Sequence, residues 1–170
     1  MITFNDRITL EEVEKVLYSN EKIQVSEAWM DRVEACYRFL ERFASDKVIY
    51  GINTGFGPMA QWRVDDKYLN DLQYNIIRSH STGAGEPLDD LYVKSAMIAR
   101  LGTVLQCRSG VHTDVVKLLV EFINREIFPF IPNMVAWVPA ATWCNWPISP
   151  SASSAKAKCT TTDNGDPPQR

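Results

Sequence analysis

Apolar residues recur every three or four positions from Leu10 to Ile123, the spacing of helices that bury one face each. Thr9 followed by Glu12 reads as a capping box, and Leu10, Val13, Val16 and Leu17 form the stripe behind it. Ser26 is placed to cap a second helix carrying Met30, Val33, Tyr37, Leu40 and Phe43. A third runs from about Asp65 through Leu69, Leu72, Ile76 and Ile77. A fourth starts after Pro87 with Val93, Met97, Ile98, Leu101 and Leu105. The fifth follows Thr113 with Val116, Leu119, Phe122 and Ile123, and Pro129 and Pro132 close it off. Only Val48–Ile52 has a strand-like look. The predicted class is mainly α, without internal repeats.

Two segments do not fit a plain helical pattern. In Tyr50-Gly51-Ile52-Asn53-Thr54-Gly55-Phe56-Gly57-Pro58, three glycines within seven residues preclude a helix interior. The spacing is not that of a phosphate cradle, since no Gly-Lys-Ser/Thr motif occurs after it. By itself the stretch reads either as a structural glycine turn or as a functional loop carrying a phenol and an amide. The second segment, Arg78-Ser79-His80-Ser81-Thr82, crowds polar groups at a helix end just before two glycines. A lone histidine there is commonly a cap favoured by the helix dipole. His112 receives no role.

Composition sharpens this picture at one place. Across 170 residues, 45% are hydrophobic and 23% charged, which is ordinary globular usage. Eighteen basic against 21 acidic side chains give a net charge of −3, so nucleic acid and anionic membranes are poor partners. No apolar run reaches a membrane span and the first residues lack a signal-peptide core, so a cytoplasmic protein is expected. Cys36, Cys107, Cys144 and Cys159 are scattered, and neither a metal site nor a disulfide framework is indicated. The averages nevertheless hide a break. Residues 1–132 hold 11 Leu and 7 Phe, whereas 133–170 hold none of either but three of the five Trp and five of the nine Pro. The polar end SPSASSAKAKCTTTDNGDPPQR cannot bury a core, so a disordered tail is expected.

The segments YGINTGFGPMA, LQYNIIRSHSTGAGEPL and MIARLGTVLQCRSGVHTDVVKLLVEFINREIFPFIP resemble, in order and spacing, the N-terminal part of the aromatic amino acid ammonia-lyases and related aminomutases. The resemblance spans about residues 8–132. It implies the N-terminal helical portion of the fumarase/aspartase-like fold, truncated before the central helix bundle. It also implies elimination of ammonia from an aromatic L-amino acid to give the α,β-unsaturated acid. That reaction removes a weakly acidic β-proton and expels a poor leaving group, so it needs a strong base and an electrophile. By resemblance Tyr50 is the base, and its phenol, with an unperturbed pKa of about 10, must be stabilised as phenolate to work near neutrality. Gly51, Asn53, Thr54, Gly55, Phe56 and Gly57 would form a mobile lid over substrate. Ser79 and His80 fall on the substrate-selecting position, where a histidine suits the polar ring of tyrosine or histidine. The family's electrophile is a methylidene-imidazolone, self-formed from an internal Ala-Ser-Gly, and its active sites are shared within a homotetramer. No metal is implied.

The tail departs from that pattern, for the chain contains no Ala-Ser-Gly. Combining the last base of each codon with the first two of the next restores the motif. Met134-Val135 and Trp137-Val138 each force Gly, Trp143-Cys144 forces Val, Asn145-Trp146 forces Leu, and Trp146-Pro147 forces Ala. The looser junctions between them permit His-Gly-Ser-Val-Gly-Ala-Ser-Gly-Asp-Leu-Val-Gln-Leu-Ala. Residues 133–170 are therefore expected to be a frameshifted, disordered tail on a 1–132 lyase portion, the runner-up being a genuine unrelated tail. The recovered Leu-Val-Gln-Leu leans toward tyrosine, with histidine next. As written, the chain is expected to be inactive and poorly soluble. The remaining alternatives are a non-catalytic binding or assembly module derived from a lyase, and an aromatic aminomutase.

Overall fold

A computed structural model describes residues 1–5, 7–80, 83–135 and 159–161. In chain order these form β1 (Ile2–Phe4), α1 (Leu10–Tyr18), β2 (Ile23–Val25), α2 (Glu27–Ala44), α3 (Leu69–His80), β3 (Gly83–Pro87), α4 (Asp90–Leu105), α5 (Thr113–Asn124), β4 (Ile127–Pro129), β5 (Pro132–Val135) and β6 (Cys159–Thr161). Short 3-10 turns occupy Gly57–Met59 and Asp66–Tyr68. The protein is mainly α, its five long elements being those the periodicity predicts.

The first helix starts as its sequence requires. Glu12 N–H donates to Thr9 Oγ1 at 3.3 Å, and Thr9 N–H donates to Glu12 Oε2 at 2.8 Å. This reciprocal cap satisfies two amides that the helix cannot pair internally. Because α1 sets Val16 into the core, Thr9→Ala is expected to lower global stability by about 1 kcal/mol in urea unfolding. An unchanged unfolding midpoint would show that the cap is redundant.

α4 is the centre of the molecule. Val93, Met97, Ile98, Leu101, Val104 and Leu105 are all buried, and they meet Val16 of α1, Val33 of α2, and Val116, Leu119 and Ile123 of α5. A helix enclosed on several sides loses the one-sided pattern of a surface helix. Phe4 and Ile23, from the parallel pair β1–β2 (Ile2 opposite Ile23, Phe4 opposite Val25), and Phe128 of β4 complete the core. Lys94, 6% exposed, donates there to Asn20 Oδ1 at 3.0 Å and to Glu126 Oε1 at 3.2 Å, which partners its buried amine. Both acceptors sit in left-handed backbone just beyond helix ends, at φ 54° and 55°.

Several expectations need correction. Val48–Ile52 is not a strand: Ile52 and Asn53 both donate to Ile49 O, which winds the segment into a turn. Ser26 occupies the N-cap of α2 but makes no side-chain cap, since its hydroxyl bonds Asn5 Oδ1 at 3.3 Å instead. The third helix is preceded by a 3-10 turn, so α3 proper begins at Leu69 rather than near Asp65. His112 does have a role, capping α5 through Nδ1, which accepts from Asp114 N–H at 3.2 Å. Pro129 and Pro132 do not end α5, which stops at Asn124; they lie in β4 and β5. Antiparallel β5 pairs with β3 (Ala84 opposite Met134). The β6 backbone pairs with β4. The rest of the expected disordered tail, residues 136–158 and 162–170, lies outside the described residues.

Among the described residues, no member of the buried hydrophobic core comes from residues 45–80. The segment bearing the candidate chemistry is thus carried on the folded body rather than built into it.

Candidate functional site

The glycine-rich segment is a closed loop with a polar interior. Thr54 and Arg63 form an antiparallel bridge, Gly55 N–H donates to Trp62 O at 3.2 Å, and Val64 N–H donates to Asn53 O at 2.9 Å. Asn53 is 4% exposed and Thr54 fully buried. The Asn53 amide uses both its ends. Its Oδ1 accepts from Ile49 N–H at 2.7 Å, and its Nδ2 donates to Lys47 O at 2.7 Å and to Ala44 O at 3.2 Å. Ala44 is the last residue of α2, so this one side chain ties the loop to the end of that helix. Thr54 Oγ1 accepts from Gly51 N–H at 3.3 Å and donates to Gly55 O at 2.9 Å.

Glycine is required at two of these positions. Gly51 has φ +80°, a conformation that side chains disfavour. At Gly55 an added Cβ would lie 2.5 Å from Met59 Cβ and 2.8 Å from Met59 O, so the backbone could not close on itself. Gly57 is exposed and opens the next 3-10 turn.

Asn53→Ala would leave three backbone groups without partners in a half-buried turn. Local opening of residues 44–64 is expected to become easier by about 2 kcal/mol. Faster amide exchange at Ile49 and Val64, with little change in global melting, is the expected observation. Unaltered exchange would remove Asn53 as the anchor.

Tyr50 stands at the mouth of this loop, 63% exposed, with its ring edge-on to Phe56 at 5.7 Å between centroids. Phe56, Met59 and Trp62 are exposed beside it in sequence. The phenol is thus carried on a hydrogen-bonded turn yet open to solvent. Ser79 is exposed on α3 and donates to Ile76 O at 3.0 Å. His80 is the last residue of α3, and its side chain lies outside the described residues.

The structure gathers Tyr50, Gly51, Asn53, Thr54, Gly55, Phe56 and Gly57 into one unit. Among the described cavities none encloses them with Ser79. The largest described cavity, about 760 Å³, lies elsewhere, between residues 7–13 and α4, lined by Arg7, Ile8, Ser95, Gly102 and Gln106 among others. Arg63 and Trp62 carry no signal in the sequence pattern. Their part in closing the loop is played by backbone atoms, which leave no mark in residue spacing. Among the described residues no group of three or more His, Cys, Asp or Glu is placed to hold a metal ion, and no helix is long and apolar enough to cross a membrane.

Comparisons with known proteins place this geometry in context. A family model described as aromatic amino acid lyase matches residues 8–134. A histidine ammonia-lyase of Macrococcus caseolyticus is 38% identical over 126 residues, covering 74% of this chain and 25% of that protein. The Bacillus cereus histidine ammonia-lyase is 37% identical over 135 residues, covering 78% and 27%. Among solved structures, the tyrosine aminomutase from Streptomyces globisporus superposes with a TM-score of 0.73 at 27% identity, over 79% of this chain and 26% of that one. The histidine ammonia-lyase from Trypanosoma cruzi gives 0.68 at 26% identity, over 80% and 27%. The chain spans about a quarter of the length of the curated relatives it matches.

Proposed function

The chain belongs to the aromatic amino acid lyase family, and from that premise we propose that it carries the base-bearing part of an enzyme eliminating ammonia from an aromatic L-amino acid. The observation that carries this reading is the Tyr50 loop. A phenol is presented to solvent on a turn locked by Asn53 and Thr54, within a stretch whose sequence matches the family. Tyr50 takes the β-proton, and the loop positions it and limits water access when substrate is bound. Ser79 and His80, at the end of α3, meet the substrate ring.

The substrate we favour is tyrosine, on the Ser79-His80 pair and on the Leu-Val-Gln-Leu of the shifted frame. Histidine is the second reading, favoured by the names of the curated relatives. In the enzyme expressed from a restored frame, His80→Phe should move the preference for phenylalanine over tyrosine by about tenfold or more, the cost of stranding a polar ring group. An unchanged ratio of kcat/KM values would remove His80 as selector. Product from tyrosine, histidine and phenylalanine, assayed side by side, decides between the two readings.

The family's methylidene-imidazolone supplies the electrophile in such reactions, but the residues of this chain do not fit it, because no Ala-Ser-Gly is present. No step is assigned to it. We read residues from about 133 onward as a frameshifted translation. The family match ends at residue 134, and no Leu or Phe occurs after Phe130. Resequencing the locus tests this: an unbroken frame with no missing or extra base near codon 133 would exclude it. The full enzyme is then a cytoplasmic homotetramer, in which other segments and subunits close the site around Tyr50.

A further inference from the structure

The connector between α4 and α5 is seated on one face of α2. The Cys36 thiol donates to Cys107 O at 3.0 Å, and Gly110 packs so closely on Leu40 that an added Cβ would lie 2.4 Å from Leu40 Cδ2. The Tyr37 ring meets His112 edge-on at 4.8 Å between centroids, and Thr113 Oγ1 reaches Glu34 Oε2 at 3.5 Å. His112 stands where this seat ends and α5 begins.

One nitrogen of His112 faces two groups with opposite demands. Its Nδ1 accepts from the Asp114 amide at 3.2 Å, which requires a bare Nδ1 and puts the neutral ring's proton on Nε2. The same Nδ1 lies 3.4 Å from Asp114 Oδ2, an acceptor that it can bond only as an N–H donor. Protonation of the ring therefore decides which of the two bonds is made. With 42% of the side chain exposed, the ring is open to protons from solvent.

The surrounding charges set the terms of that choice. Asp114 Oδ2 favours the imidazolium, whereas the positive end of α5 opposes a cation at its N-cap. Lys117 draws on the other Asp114 oxygen at 3.6 Å and weakens the carboxylate's pull. From α2, Glu34 is occupied by Arg38 at 2.8 Å, and Glu41 accepts from the Tyr37 hydroxyl at 2.9 Å. That bond to Glu41 raises the Tyr37 phenol above its ordinary range, so the ring beside His112 stays uncharged. Arg108, the one charged side chain of the connector, is exposed. Among these side chains an imidazole is the type whose ordinary titration falls between about pH 5 and 8.

We propose that His112 is a pH-operated cap of α5. With the ring neutral, Nδ1 holds the Asp114 amide and the first turn of α5 is closed. Protonation places a hydrogen on Nδ1, removes the lone pair that accepts, and moves its bond to Asp114 Oδ2. The Asp114 amide lies in the first helical turn and has no carbonyl within α5 to bond, so it then turns to water. The cap is thus present at the alkaline end of the range and lost as pH falls, and acid loosens the entry to α5. The proposal is independent of the lyase reading, since no residue of the Tyr50 loop takes part.

The test is residue-resolved hydrogen exchange on the 170-residue chain from about pH 8 to about pH 5, each rate divided by the intrinsic rate at that pH. Protection of the Asp114 amide is expected to fall about fivefold, the loss of one cap, while that of buried Leu119 in the same helix stays unchanged. The fall should follow the titration of the His112 ring, read by mass spectrometry from exchange of its C2 hydrogen. His112→Asn, which caps without titrating, should keep the amide protected throughout, and His112→Ala should leave it weakly protected throughout. Asp114→Asn keeps the amide but removes the charge, so the midpoint should move to lower pH. Protection that does not change with pH, a fall that persists in His112→Asn, or a midpoint indifferent to Asp114→Asn would each overturn the proposal.

Discussion

Purified 170-residue chain, incubated with tyrosine, histidine or phenylalanine, is expected to release no unsaturated acid above a heat-treated control. Two independent features lead to this outcome. The chain has no Ala-Ser-Gly from which to make an electrophile. A positioned base alone supplies about 10²–10⁴ of a rate enhancement that in enzymes reaches 10⁶ or far more. Second, Tyr50 is 63% exposed and lines none of the described cavities, so no wall excludes water from a bound substrate. Coumarate or urocanate from the purified chain would overturn both the frameshift reading and the view that the site is unfinished. The complementary measurement restores the frame by one base near codon 133 and expresses the resulting longer chain. Turnover there, and none in the 170-residue chain, separates an interrupted enzyme from a module kept for binding or assembly. A restored frame that gives folded but inactive protein favours the module.

The low solubility expected of the short chain has a structural source as well. Phe39, Phe43, Val48, Tyr50, Met59 and Trp62 are all exposed between the middle of α2 and the end of the loop. Phe39 and Phe43 stack on each other at 5.5 Å, and Lys47 covers the Phe43 ring at 3.6 Å. A cation over an aromatic face partly shields it, but the remaining apolar side chains are of the kind that promote association.

The helices were legible in the sequence because burial of one face writes a period of three to four residues, and Thr9 with Glu12 marked a start that the structure reproduces. The turn at Val48–Ile52 was not. Val48, Ile49 and Ile52 look like strand residues, but they are wound by the Ile52 and Asn53 amides donating to Ile49 O and by the Asn53 side chain, just outside the run, accepting from Ile49 N–H. Likewise His112 caps α5 with a ring nitrogen, a use that residue spacing does not distinguish from exposure. The Cys36–Cys107 contact depends on how α2 meets the end of α4, which no local pattern encodes. The candidate loop was recognised as a unit from its three glycines. What spacing could not reveal is that, among the described residues, 45–80 contribute no member of the buried hydrophobic core. Their apolar stripe looks like that of any packed helix, and only the tertiary arrangement shows α3 meeting the 3-10 turn before it.

Tyr50→Phe, made in the enzyme expressed from the restored frame, is expected to lower kcat and kcat/KM together by about 10³-fold. The substitution removes one oxygen from a ring that keeps its edge-on contact with Phe56. The hydroxyl has no hydrogen bond among the described residues, so the turn held by Asn53 and Thr54 loses nothing. Melting temperature and amide exchange across residues 44–64 should therefore match the parent protein, which separates loss of the base from loss of the loop. A general base acts only in its deprotonated form, so the parent's kcat/KM should rise with pH over the range in which the base loses its proton. That rising limb should vanish in the phenylalanine variant, leaving a low, flat residual rate. Turnover within a few-fold of the parent, or an unchanged pH profile, would assign proton removal to another group. Asn53→Ala makes the contrasting case: it keeps the phenol but frees the turn, so it should raise KM and lower kcat without removing the pH dependence. The two variants together distinguish the group that takes the proton from the anchor that holds it in place.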